Sequence, residues 1–587
     1  MQKTDNNVAH VAKVRHSLAH LLAIEVLKFD SKAKLAIGPV IDNGFYYDFE
    51  FSEGKAPTEK DLKDFQKGMK KLIGGKLPFT YAEVTADEAK NMFADQPYKM
   101  ELIADLIKDG ATLSVYKTGD KFTDLCAGPH VENTSEIDAD GFELTKIAGA
   151  YWRGSEKNKM LTRIYGVAFE TGAELDAYNI QQAEAIKRDH RKLGKELKLF
   201  TVSELIGAGL PLMQPKGMII RKALEDYLWD LHKDLGYSRV WTPHIAKEAL
   251  YETSGHAAKF GDELFRVSGK EEQFIMKPMN CPHHMQIFAD NQFSYKDMPV
   301  RYFEPATVYR DEKSGQLGGL TRVRSITQDD GHLFCRDIQI GTEIAAIVGI
   351  IKKFYTRMGM MDGYWVRLSL RGEDKSKYLG SDEVWRTAEK ALTDVCKAEK
   401  LPYKPAMGEA AFYGPKLDFM FKDAIGREWQ LATVQCDFNL PERFQLEFTN
   451  EKGVKERPVV IHRAIAGSLE RFMGVMIEHF AGSFPLWLAP VQVKVIPVRE
   501  NHNEYALAIG ATLKQAGLRV DIDTADGNMG KKVREGKNDK VPYMIIVGDK
   551  DIEANKITVE SRDRGQIGQM DVATLVEELV QEINLNK

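Results

Sequence analysis

The feature that most limits how this chain can fold is its punctuation. Gly207-Ala208-Gly209-Leu210-Pro211 and Ala489-Pro490 break it at two places, and a polar, proline-free, helix-prone stretch over residues 171–199 precedes the first break. Free backbone at glycine and fixed φ at proline interrupt regular structure. The blocks on either side differ in pattern, so several cores are expected rather than one. A length of 587 residues agrees, since it corresponds to about three or four domains. We place the boundaries at 1–170, 171–199 (a linker helix), 200–490 and 491–587.

Each block has its own period. In 1–170, His16 to Phe29 carries apolar residues at helical spacing, and Asp42-Asn43-Gly44 stands between β-rich runs as a hairpin signal. The block reads as α+β. In 200–490, Val300–Phe303, Tyr364–Leu370 and Lys416–Phe421 read as strands. In 491–587, strands are expected at 491–498, 519–523 and 543–547, with helices at 504–516, 529–535 and 572–583. That alternation predicts a small α/β domain with a largely parallel sheet. The whole is multidomain, α/β and α+β.

Composition narrows the class. Apolar residues make up 43% and charged residues 28%, enough for real cores in a chain that no membrane segment interrupts. The start, Met1 to Asn7, is polar and unlike a signal peptide. Five scattered cysteines argue against a disulfide framework and for a reducing compartment, the cytoplasm. A net charge of −5 does not advertise nucleic-acid binding, but phosphate binding needs only a local basic face. Lys187-Arg188-Asp189-His190-Arg191-Lys192, continued by Lys195 and Lys198, reads as such a face or as a solvated helix.

Three residues far apart in the chain form a ligand set suited to Zn²⁺. They are Cys281, His332 and His462, one thiolate and two imidazoles, which leave a coordination position open. Their separations follow no short zinc pattern, so alone they give a weak metal signal. The arginines around them strengthen it. Tyr309-Arg310-Asp311-Glu312, then Arg322 and Arg324, and later Gly467-Ser468-Leu469-Glu470-Arg471-Phe472, supply guanidinium groups. These suit phosphate because the fork binds two oxygens and keeps its charge. No P-loop and no Rossmann glycine fingerprint occurs, so an ATP site here is of another kind.

These segments, with Gly236-Tyr237-Ser238-Arg239-Val240-Trp241-Thr242-Pro243 ahead of them, resemble in order the three signature motifs of class II aminoacyl-tRNA synthetases. Lys277 to Cys281, Thr327 to Asp330 with His332, Phe412-Tyr413-Gly414-Pro415-Lys416 and His462-Arg463-Ala464 resemble the threonyl-tRNA synthetase family in particular. The resemblance covers essentially the whole chain. It implies an antiparallel-sheet catalytic domain, an α+β editing domain and a C-terminal α/β anticodon-binding domain. It implies that Arg310 holds the α-phosphate of ATP and Arg471 the γ-phosphate, with Lys416 among the catalytic residues and Mg²⁺ accompanying ATP. Glu312, Arg322, Gln430 and Thr433 would line the ATP site, and Tyr413, Gln328, Asp330 and Gln435 would contact threonine. Cys281, His332 and His462 would hold one Zn²⁺ per subunit. The partners implied are tRNA(Thr) and a second copy of the chain, met through the Gly236–Pro243 region.

There are departures. Ile326 stands where the family has a Phe that stacks on adenine. Leu431 and Ala432 follow Gln430 in place of Cys and Gly. His283 replaces a Gly beside the zinc cysteine. The small β-rich domain that usually precedes the editing domain in that family is not expected here, with about fifteen residues ahead of His16.

Discrimination predicts a second site. A pocket that must bind the threonine hydroxyl rejects valine, by about 10⁴–10⁵ when a polar group is left unpaired. Serine lacks only a methyl, worth about 1–3 kcal/mol, so it needs hydrolytic editing. His16-Ser17-Leu18-Ala19-His20 puts two imidazoles on one helix face, and Asp124-Leu125-Cys126-Ala127-Gly128-Pro129-His130 adds a Cys and a His on a loop. By composition these residues form a zinc site or acid/base groups around a water. The family's HxxxH and CxxxH signature implies hydrolysis of seryl-tRNA at His16, His20, Asp124, Cys126 and His130. A pocket without metal is expected.

Overall fold

The computed structural model describes residues 2–585. The chain divides into two compact units, Met1–Ala183 and Glu184–Lys587.

The first unit is built on helix α1 (Gln2–Phe29). From Ser17 to Val26 this helix is buried all round, as expected for a helix at the centre of a domain. Leu18, Leu22 and Val26 pack with Phe45, Tyr47, Phe49 and Ile164 of a five-stranded antiparallel sheet. The expected hairpin forms. Its two loop residues are Asp42 and Asn43, with Asn43 at φ 59°, and Gly44 already pairs with Ile41. A second sheet, of strands Phe79–Glu83, Ser114–Thr118 and Phe122–Leu125, leads into the Cys126–His130 loop.

The linker is not one helix. It is α2 (Gly172–Arg188) and α3 (His190–Glu196), broken at Asp189. Asp189 leaves helical dihedrals (φ −48°, ψ 118°), and its side chain accepts the Arg191 N–H at 2.8 Å. This side-chain competition with the backbone makes aspartate a helix starter. The basic run therefore forms no single face. His190 is buried, Arg188 donates to the His479 carbonyl, and Arg191 pairs with Asp189.

The second unit carries an eight-stranded sheet. Its strands are β1 (Tyr237–Arg239), β2 (Val300–Tyr309), β3 (Ser325–Cys335), β4 (Trp365–Leu370), β5 (Tyr403–Met407), β6 (Lys416–Lys422), β7 (Glu428–Asp437) and β8 (Val459–Ser468), in the order β1-β2-β3-β8-β7-β6-β4-β5. The six inner strands run antiparallel, and β1 and β5 join the edges in parallel. Helix α4 (Cys281–Ala289) precedes β2, and helix α5 (Leu469–His479) follows β8. The large core under the sheet includes Phe303, Ile347, Phe354, Phe419, Val434 and Phe472.

The C-terminal sheet is mixed rather than largely parallel. Val493–Pro497 is flanked in parallel by Val520–Ile522 and Tyr543–Val547, but Ile557–Ser561 and Gly565–Met570 follow antiparallel. The connection over residues 548–556 is shorter than the dozen or so residues that a parallel crossover needs. Among the described residues no helix is long and apolar enough to cross a membrane.

Candidate active site

Strand alternation makes the site. On β3, Gln328, Asp330 and His332 point to one side and Asp329 to the other. Asp329 is fully buried and accepts the Ile465 and Gly467 N–H groups at 2.8 Å each. Burial pushes its carboxyl up to about 7, against the pull of Arg463. The two accepted N–H groups hold the irregularity where the pairing of β3 with β8 shifts register, with Gly467 at φ 68°. Ser468 then caps α5 by accepting the Arg471 N–H.

A cavity of about 520 Å³ opens on this face, lined by Arg310, Glu312, Arg322, Ile326, Gln328, Gln430, Thr433 and Arg471 among others. Arg471 donates to the Thr321 carbonyl at 3.0 Å. Arg310 lies 4.8 Å over the Phe260 ring. Among the described residues neither guanidinium forms an ion pair with a carboxylate. Burial lowers the pKa of both, and for Arg471 the Arg322 charge lowers it further. Guanidinium groups that line a cavity and are not paired with a carboxylate suit an anionic ligand. Glu312, by contrast, is already paired with Arg322 at 2.6 Å.

Gln430 and Thr433, three apart on a strand, would normally face opposite sides. The register shift between Phe419 and Met420 on β6 sets them on the same one. Both donate to Asp418 Oδ1, at 2.9 and 3.1 Å. Lys416 and Arg367 reach the other oxygen at 2.5 and 3.1 Å. Lys416 does not line the cavity. Sequence reasoning missed Asp418, although it stands two residues from Lys416 on the same strand face.

At the far end of β3, the donor atoms of Cys281, His332 and His462 lie within 4.8 Å of one another, all buried. Their hydrogen bonds fix the tautomers. His462 Nε2–H donates to Asp437 at 2.8 Å. His284 Nε2–H donates to Glu304 at 2.9 Å, which leaves His284 Nδ1 to accept from His332 Nδ1–H at 2.7 Å. The two inner nitrogens, His332 Nε2 and His462 Nδ1, then face each other at 2.9 Å with lone pairs inward. That arrangement favours a cation, and carboxylates behind metal-bound imidazoles are the usual support. The donor set thus fits Zn²⁺. Sequence reasoning missed Asp437, His284 and Glu304. His283 lies outside the trio, buried, with neither ring nitrogen hydrogen-bonded to the protein.

Beside the trio, the Tyr413 ring stacks on His462 and its hydroxyl donates to Gln435 at 2.6 Å. Asn280 donates to Asp330 at 3.0 Å. Glu304 also accepts the Thr242 N–H at 2.7 Å, which ties the Gly236–Pro243 segment to the trio. In that segment β1 is an edge strand and Trp241 is 73% exposed.

In the first unit, His16, His20, Cys126 and His130 also gather within 4.8 Å. Here the groups satisfy one another. Ser17 accepts the Val131 N–H and donates to His130 Nδ1 at 3.1 Å, so His130 Nε2–H donates to the Cys126 sulfur at 3.2 Å. The Cys126 thiol then turns to His16 Nε2 at 3.3 Å. Burial lowers the pKa of all three imidazoles and pushes the Cys126 thiol up to about 11, so all four are neutral. Asp124 belongs to Lys99 at 2.5 Å and Tyr47 at 2.6 Å, and stands 3.9 Å from His20.

Known families match in the same order. The tRNA synthetase class II core domain (G, H, P, S and T) matches residues 265–480. The anticodon binding domain matches 492–582, and the threonyl and alanyl tRNA synthetase second additional domain matches 113–165. Fold and matches together define a class II aminoacyl-tRNA synthetase. A threonine–tRNA ligase of Gloeobacter violaceus is 47% identical over 99% of this chain and 92% of its own. One from Porphyromonas gingivalis is 47% identical over 97% and 87%. The crystal structure of the RNA binding domain of Cryptosporidium parvum threonyl-tRNA synthetase superposes with a TM-score of 0.64 at 34% identity, covering 67% of this chain and 98% of that one. The chain belongs to the threonine–tRNA ligase family.

Proposed function

We propose that the chain activates threonine with ATP, charges tRNA(Thr), and hydrolyses seryl-tRNA in its first unit. The observation that carries the reading is a single sheet face with a cavity lined by Arg310 and Arg471, neither paired with a carboxylate, at one end and the Cys281–His332–His462 trio at the other. Threonine's carboxylate attacks the α-phosphate and pyrophosphate leaves. The tRNA 3′-terminal hydroxyl then attacks the carbonyl carbon and AMP leaves. Arg310 offsets charge on the α-phosphate and Arg471 on the γ-phosphate. Mg²⁺ accompanies ATP. Glu312 orients Arg322, and Asp418 orients Lys416, Gln430 and Thr433, so these groups need not reorganise during the reaction. Asp330, Gln328, Tyr413 and Gln435 surround the amino acid. A zinc ion on Cys281, His332 and His462 would supply an open position for the amino and hydroxyl groups, which valine cannot fill equally.

In the first unit, neutral His16, His20 and His130 accept and pass on the proton of an attacking water without a metal. Edge strand β1 with exposed Trp241 supports a homodimer, and the reading places the enzyme in the cytoplasm. Pyrophosphate exchange across the twenty amino acids tests the proposal. Exchange is expected with threonine, weakly with serine, and not with valine. Strong exchange with another amino acid, or none at all, would overturn it.

A further inference from the structure

His190 opens α3, in a stretch whose sequence is that of a solvated helix, yet it is only 5% exposed. The break at Asp189 turns it inward. Its backbone N–H and its Nδ1–H both donate to Glu478 Oε1, at 3.0 and 2.6 Å. Its Nε2 accepts the Leu320 N–H at 3.0 Å. The two assignments require each other, because a carboxylate only accepts and a backbone amide only donates. One imidazole carrying its proton on Nδ1 satisfies both.

Each partner leads to the ATP cavity. Glu478 lies in the last turn of α5, the helix that carries Arg471, and is also paired with Arg427. Leu320 is fully buried and follows Gly319, whose φ is 54° and whose missing side chain makes room for the His190 ring. Thr321 and Arg322 come next and line the cavity, and the Thr321 carbonyl holds Arg471 Nε. Gly474 of α5 completes the fit, since a β-carbon there would press on Leu320 and Thr321 at 3.3 Å each. Asp189, His190 and Glu478 also have the makings of a cation site. Both His190 nitrogens are engaged and Asp189 pairs with Arg191, so the group is a brace and not a metal cage.

We propose that His190 is a positioning residue for ATP. It sets the Gly318–Arg322 loop against α5, so that Arg471 and Arg322 are aimed into the cavity before the nucleotide arrives. The proposal rests on the reading of that cavity as the ATP site. Without the imidazole the buried Leu320 amide loses its acceptor and the loop loses its reason to sit there.

The test is threonine-dependent pyrophosphate exchange by the full-length protein, with KM for ATP and for threonine measured separately and zinc content followed alongside. His190→Ala is expected to raise KM for ATP by about tenfold, the worth of one stranded buried amide. KM for threonine and zinc content should stay unchanged. His190→Gln keeps an acceptor for Leu320 and should restore most of the ATP affinity. His190→Asn reaches Glu478 but not Leu320 and should behave like alanine. If the alanine variant does not fold, the difference between the Asn and Gln variants decides. A KM for ATP within twofold of the parent in both His190→Ala and His190→Asn would overturn the proposal. So would an equal loss in every parameter, which marks general loosening. An exchange-negative parent protein would instead overturn the ATP-site reading itself.

Discussion

Cys281, His332 and His462 in the second unit, and His16, His20, Cys126 and His130 in the first, are clusters of the same two residue types, each with donor atoms within 4.8 Å. What stands behind them differs. In the second unit carboxylates hold the outer nitrogens: Asp437 directly, and Glu304 through His284. The protons are drawn outward and the lone pairs converge. In the first unit the supports are hydroxyls and the backbone, Asp124 is committed to Lys99 and Tyr47, and the ring nitrogens and the thiol complete one another. On the proposed reading the outer partners, not the inventory of His and Cys, separate a cage for a cation from a pocket of neutral acid/base groups.

Substitutions can break or sharpen this contrast. Cys281→Ala should abolish zinc binding by elemental analysis and lower threonine activation by about a thousandfold. Deacylation of preformed seryl-tRNA should persist, and retained zinc would end the distinction between the clusters. Replacing His16 and His20 together by Ala should reverse the pattern. Zinc and threonine activation stay, while seryl-tRNA deacylation falls by about 10²–10³. Asp437→Asn should weaken zinc binding about 10- to 100-fold in a chelator competition, because it removes the charge that orders His462. Unchanged affinity would mean that the carboxylates are not what separates the clusters. The smallest effect is a pH slope. Burial raises the Cys126 thiol to about 11, so it is protonated at neutral pH and its thiolate grows as pH rises. Alkylation at Cys126, followed by mass spectrometry, should quicken about tenfold per pH unit between pH 7 and 9. A plateau by pH 8 would mean a thiolate already formed, and a cluster closer to the metal type.

Much of this was legible in the chain. The strands at Val300–Tyr309, Trp365–Leu370 and Lys416–Lys422 lie where their β-rich runs predicted, because a buried strand needs little more than its own pattern, whereas the strand that carries His332 had not been expected. The His and Cys residues of both clusters stood out because few chemistries use them. Their supporting carboxylates did not. Asp418, Asp437 and Glu304 are three among 86 acidic residues, and only pairing across the sheet shows what each faces. A partial signal existed, since Asp437 lies two residues beyond Gln435 and Asp418 two beyond Lys416, on the same strand faces. Other features depend on distant contacts. The break at Asp189 matters because Glu478 and Leu320 receive His190, and the mixed C-terminal sheet turns on the length of one connection. The departure at Ile326 lines the cavity with an aliphatic side chain, which on the proposed reading offers adenine no ring to stack on.

Strand β3 has one further consequence. Ile326 at the nucleotide cavity and His332 at the trio are six residues apart on a single extended strand, which spans roughly 20 Å at about 3.3 Å per residue. Its neighbours hold it on both sides, so it can neither stretch nor slip without turning every side chain to the wrong face. The strand therefore works as a ruler. On the proposed reading it sets how far the phosphate-binding end stands from the hydroxyl-reading end, and a substrate is measured along its length as well as tested at its tip.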